Sequence, residues 1–198
     1  MIRKTAMKLF GLLGLLMLLS CGYADRHRNN SSCEQVLVDS LEVRVQDSLF
    51  SNVHYSRSQV LDALTQAQDS QVYYRLLALY GKTFFVSSDF DSILYYNRRV
   101  KEFFRNASQS SESLQSPQWN DVLSDVYNIE GNVWMQLNRP DSAITDYKKA
   151  YEYRLKGKKL HLLPDICINT ADAYLHRSDL AHTASYYRRA LFLCDSLN

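Results

Sequence analysis

The sequence predicts an all-α chain, built from antiparallel helix pairs stacked as an α-solenoid. Three observations predict it. Gly131, Trp134, Tyr147 and Ala150 return forty residues later as Ala171, Tyr174, Tyr187 and Ala190, and Gly81 and Phe84 stand fifty residues before the first two. A recurrence of that order marks a stacked-repeat architecture. A small residue and an aromatic three apart, as in Gly131 and Trp134, share one helical face, so the recurring unit is helical. Little reads as strand: short apolar runs such as Val43 to Phe50 are ambiguous alone, but their setting is helical.

Composition supports a folded chain. Of 198 residues, 46% are hydrophobic and 22% charged, which excludes a disordered polar chain. Six Gly and three Pro exclude collagen-like and flexible low-complexity sequence. The formal charge is +2, but Arg3, Lys4 and Lys8 lie in a segment expected to be removed, leaving 20 basic against 21 acidic residues. That balance excludes the basic excess of a nucleic-acid binder.

Residues 1–20 read as a signal peptide. After the three early cations comes a twelve-residue apolar run, Leu9 to Ser20. As a helix it covers ~18 Å, short of the ~30 Å hydrocarbon core. The run ends Leu18-Leu19-Ser20-Cys21-Gly22, which resembles the lipobox of bacterial lipoproteins. The resemblance implies lipidation of Cys21 and a chain held at the cell envelope, lipid-anchored and facing the periplasm. Several acyl chains hold firmly where one does not. Residues 21–32 form a polar tether.

An N-terminal helical pair is expected over 33–70, from Cys33 to Phe50 and from Arg57 to Gln68. Val36, Leu37 and Leu41, then Val60, Leu61 and Leu64, carry the helical spacing. Three units follow in 71–198, at about 74–105, 124–160 and 164–198. The first holds Leu77, Gly81 and Phe84, a turn at Asp89-Phe90-Asp91, and a second helix with Ile93, Asn97 and Val100. An inserted loop over 106–118 accounts for the longer first interval, with five Ser in thirteen residues. In the second unit Leu137 to Asp141 is the turn, and Pro140 suits the first turn of a new helix. Tyr151 to Lys159 is expected to stay helical. With no capping element after the third unit, Tyr187 and Leu191 would face solvent, so the sequence is expected to be a fragment of a longer array or that end to bind something.

These units resemble the tetratricopeptide repeat. The middle one matches at Tyr127, Gly131, Trp134, Ala143, Tyr147 and Ala150, with Glu130 where the family has Leu and Leu155 where it has Pro. The last matches at Ala171, Tyr174, Tyr187 and Ala190, and the first at Leu77, Gly81 and Phe84. The resemblance implies a superhelix whose concave face, made by the first helix of each pair, binds a protein or peptide. The partner-binding positions it implies are Asn128, Asn132, Met135 and Gln136 in the middle unit and Asp165, Ile168, Asp172 and His176 in the last. In the first they are Arg75, Ala78, Lys82 and Phe85. Asp165 and Ala78 stand where the chaperone-tail-binding repeats place cations, so a carboxylate clamp of that type is not expected.

No phosphate loop, nucleophile elbow or zinc-ligand spacing occurs among the motifs of the chain, and no catalysis, cofactor or metal is expected. Cys167 and Cys194 lie near facing ends of paired helices, leaving a disulfide or two buried thiols open. Lys148, Lys149, Arg154, Lys156, Lys158 and Lys159 form a basic cluster, read as a solvated helix end or a contact for anionic lipid. The expected function is a membrane-tethered scaffold. Two alternatives stand beside it: the sensory portion of a longer membrane-associated regulator, and a glycan-uptake lipoprotein.

Overall fold

The computed structural model describes residues 35–107 and 116–197. Cys21, the signal peptide, the tether and Cys33 lie outside the described residues. Among those described there is no strand, and eight α-helices follow one another. They are α1 (35–48), α2 (Val53–Gln66), α3 (Ser70–Lys82), α4 (Phe90–Ala107), α5 (Pro117–Gln136), α6 (Pro140–Arg154), α7 (Leu163–His176) and α8 (Leu180–Leu197). None of the described helices is long and apolar enough to cross a membrane.

All three prolines of the chain open helices, Pro117 in α5, Pro140 in α6 and Pro164 in α7. Proline's fixed φ suits the first turn, where its missing N–H costs nothing. The hairpin closures of α3–α4, α5–α6 and α7–α8 are alike. Ser88, Asn138 and Ser178 take φ of 54°, 55° and 60°, the left-handed conformation that ends a helix. One residue on, the N–H of Asp89, Arg139 and Asp179 donates to the carbonyl of Phe84, Trp134 and Tyr174. The bonds Ser88 to Phe85, Asn138 to Met135 and Ser178 to Leu175 complete a Schellman motif at each turn. In α5 and α7 the recurring aromatics are therefore the residues whose carbonyls close the helix, and Phe84 plays the same part in the turns that follow α3.

The hairpin interiors follow the same register. Ala143 and Ala150 on α6 are fully buried, as are Ile93 and Val100 on α4, while Thr183 and Ala190 on α8 are nearly so. The departures of the first unit from the repeat pattern therefore occupy the positions its pattern assigns. Gly131 is required by close approach: a Cβ there would lie 2.3 Å from the Tyr147 ring. At Gly81 it would meet the Tyr96 Cβ at 3.1 Å, because Asn97 replaces the tyrosine. Two apolar clusters hold the ends, Val38, Leu41, Val45, Val60 and Leu76 in α1–α3, and Ile144, Tyr147, Ile166, Ala173 and Tyr174 in α6–α7. A third joins Leu77 and Val100 to Trp119, Val122 and Val126 of α5.

Several expected boundaries shift. The loop over 106–118 is shorter, since Ala107 is still in α4 and Pro117 already in α5. The helix that carries the start of the middle unit, near Ser124, is α5 and begins at Pro117. Its second helix stops at Arg154 instead of running on to Lys159. The backbone turns there because Asp121 accepts the N–H groups of Lys158 at 2.9 Å and Lys159 at 3.2 Å. Gly157 makes the approach possible, since a Cβ on it would fall 2.1 Å from Asp121 Oδ1. A short 3₁₀ turn, Leu160–Leu162, then leads into α7.

Candidate functional site

The residues expected to line a partner-binding face separate into two groups. Three of them hold the frame. Asn132 Oδ1 accepts from the Tyr147 hydroxyl at 2.7 Å, and forty residues on Asp172 accepts from the Tyr187 hydroxyl. Asn128 accepts from Asn169 at 3.1 Å, which ties α5 to α7. Met135 is half-buried and packs on the α6–α7 cluster. Gln136, Asp165 and His176 are exposed.

In the first unit the face is covered. Arg75 is buried and pairs with Asp39 at 2.6 Å and Glu42 at 3.1 Å on α1, and Lys82 donates to Gln46 at 2.7 Å. Arg75 is therefore corrected from a binding position to a buried tie between α1 and α3. The basic cluster also resolves into parts. Arg154 is buried against Asp121 and Asp125, and Lys159 reaches Glu42 at 2.8 Å. Burial works to lower the Lys159 pKa, but the charge and hydrogen bond of Glu42, with Asp125 and Asp121, outweigh it and the ammonium is stabilised. Lys148, Lys149, Lys156 and Lys158 remain exposed.

Sequence reasoning missed a groove of about 620 Å³ between α4 and α6, with α5 as its floor. One face of α5 supplies Leu123, Tyr127, Glu130 and Trp134. Arg98, Lys101 and Arg105 line the α4 wall at i, i+3 and i+7, and Asp146, Lys149 and Tyr153 line the α6 wall at the same spacing. Tyr127 stacks on Tyr153 with ring centroids 5.7 Å apart, and the ammonium groups of Lys101 and Lys149 lie 5.1 and 5.0 Å from its centroid. Trp134 Nε1 donates to Asp146 at 2.8 Å.

At the bottom of the groove Glu130 is buried and accepts from Lys101 at 2.6 Å. Burial raises the Glu130 pKa, against the lowering effect of Lys101. Burial also pushes the Tyr127 phenol up to about 12, helped by Tyr153, Glu130 and Asp146, so it stays protonated at neutral pH. The groove therefore combines rings and a neutral phenol with the cations of Arg98, Lys101, Arg105 and Lys149 and the carboxylates of Glu102, Glu130 and Asp146. The one readable sign of it was Glu130 standing where the repeat pattern has Leu. The pairing of α4 with α6 across α5 leaves no trace in sequence order.

Cys167 and Cys194 are free; Cys167 is buried and Cys194 exposed. Burial pushes the Cys167 thiol up to about 11, so it stays protonated in the core. Among the described residues no group of three His, Cys, Asp or Glu side chains is placed to hold a metal ion. His182 pairs with Asp179 at 2.8 Å and stacks on Tyr174, while His176 is exposed. Comparison with protein families finds no matching family model, and comparison with curated proteins finds no significant match.

Proposed function

We propose that the chain is a non-catalytic scaffold of tetratricopeptide type, stacked as an α-solenoid, tethered to a membrane through lipid on Cys21 and periplasm-facing, which docks a protein or peptide. The observation that carries this reading is the threefold recurrence of one hairpin closure at Ser88, Asn138 and Ser178, at intervals of fifty and forty residues. Equivalent hairpins in sequence stack on one another and present extended faces for a partner. The docking face is that of the first helices, where Gln136, Asp165 and His176 stand exposed while Asn128, Asn132 and Asp172 keep the frame rigid.

A photo-crosslinking side chain placed at Asp165, in intact envelopes, tests it. A discrete crosslinked protein is expected there, and none from the same group at exposed Glu152 on α6. Equal labelling at both positions, or none at either, contradicts the docking face. Cys21→Ala is expected to move the chain out of the membrane fraction, and its retention there would exclude the lipid anchor. A second reading places the docked segment in the groove over α5, which is lined by rings and by charges of both signs.

A further inference from the structure

The first helices of the four pairs are tied side by side. Arg75 on α3 reaches Asp39 and Glu42 on α1, and Lys82, further along α3, donates to Gln46, further along α1, so the two helices run parallel. Trp119 Nε1 on α5 donates to Gln71 on α3 at 3.2 Å, and Asn169 on α7 donates to Asn128 on α5. The row is therefore α1, α3, α5, α7. Lys159, in the turn that leads to α7, nevertheless donates to Glu42 on α1 at 2.8 Å, across a sequence separation of 117 residues. The two ends of a row touch only when the row curls, so this contact spans the face of α3 and α5.

We propose that the Lys159–Glu42 pair is an autoinhibitory clasp, which closes the first-helix face at the entry to α7 and must open before a segment lies along that face beside Asp165. The inference rests on the docking face proposed above. Both ends of the clasp are set on buried charges. The backbone N–H of Lys159 is held by Asp121, which also takes the buried Arg154 at 2.7 Å. Glu42 takes Arg75, whose side chain is only 8% exposed. The clasp itself is not buried, with the Lys159 and Glu42 side chains 39% and 21% exposed. Salt screens such a pair far more than it screens the buried pairs on either side. Lys159 also has a second position open to it, because Asp121 and Asp125 of its own unit act on the same ammonium as Glu42. An ammonium with carboxylates on both sides of an opening is a two-position element, closed on α1 or withdrawn to α5.

Distance measurement between spin labels tests the clasp, with the labels on unnatural side chains at exposed Ser40 of α1 and exposed Leu175 of α7, in the full chain in detergent solution. One narrow distance is expected at low salt, and a longer, broader distribution in ~1 M salt, where the screening length is ~3 Å. Lys159→Met is expected to give the broad distribution already at low salt, and Lys159→Arg to keep the narrow one. Glu42→Gln opens the clasp from the opposite side should Lys159→Met fold poorly. A distance unmoved by salt and by both neutralising substitutions overturns the inference. Photo-crosslinking from Asp165 separates the clasp from the docking face itself. Several-fold more crosslinked protein is expected from Lys159→Met than from the parent chain. Equal yields from the two, with the distance altered, overturn the clasp's control of docking, whereas no crosslinked protein from either overturns the docking face.

Discussion

The junction between the first and second hairpins and that between the second and third use corresponding positions for opposite ends. At the second, α6 meets α7 through Ile144, Tyr147, Ile166, Ala173 and Tyr174, a continuous apolar cluster. At the first, α4 meets α5 through Val100, Trp119, Val122 and Val126 along the early turns of α5 only. Beyond Val126 the helices leave a groove, and Lys101 and Glu130 stand where the later junction has Tyr151 and Thr170. One repeat plan thus gives a seam closed by burial and a seam kept open by charge. A buried ion pair contributes less than well-packed apolar side chains of similar volume, because both charges lose water. The first junction is therefore the less stabilised of the two and leaves an open groove.

The largest expected effect lies in the closed seam. Ile166→Ala removes a fully buried side chain from the α6–α7 cluster, and urea unfolding should show a loss of ~2–5 kcal/mol. A loss well below that range would mean the seam is not the stabilising one. Next comes conversion of the open seam toward the closed. The double substitution Lys101→Met and Glu130→Leu should stabilise the chain, by ~1–4 kcal/mol where the replacements pack well. The same measurement checks it, and destabilisation would show that the ion pair holds the junction.

A smaller contrast separates the hairpins themselves. Gly131→Ala drives a Cβ into the Tyr147 ring and should cost ~1–3 kcal/mol. Gly81→Ala meets only a tight contact, which the ~1 kcal/mol helix preference of Ala over Gly offsets. Similar melting temperatures for both variants would contradict this contrast between the two hairpins. Smallest is the pH dependence carried by Glu130. Its folded-state pKa is raised above the ordinary 4.5 by burial, so the folded chain holds the proton more tightly than the unfolded one. That contribution to stability is complete below 4.5 and is lost as pH rises through the raised value. Against Glu130→Gln, the parent chain should lose stability over that rise. A gain over the same range would reverse the assignment.

Most of the helical plan was legible in the sequence because it depends on local chemistry. The recurrence of Gly131, Trp134, Ala143 and Tyr147 encodes both the close approach of paired helices and the carbonyl that closes each first helix. Pro140 marked its helix start for the same reason. The end of α6 was not legible, because it is set by Asp121, thirty-three residues before Arg154, and by a glycine whose role appears only once that carboxylate lies beside it. The ties made by several of the expected site residues were not legible for a related reason. Asn132 and Asp172 are polar and face outward on a helical wheel, yet each is engaged by a tyrosine on its partner helix. Arg75 looked solvated until α1 supplied two carboxylates. A helical wheel reports which way a side chain points and is silent about what arrives from another helix.

Native-state amide exchange resolved by helix tests the difference between the two junctions most directly. The account predicts that α5, α6 and α7 share the slowest exchange and lose protection together, with α4 opening earlier and separately at the Lys101–Glu130 seam. Uniform protection across α4 to α7, or α4 outlasting α7, would contradict it.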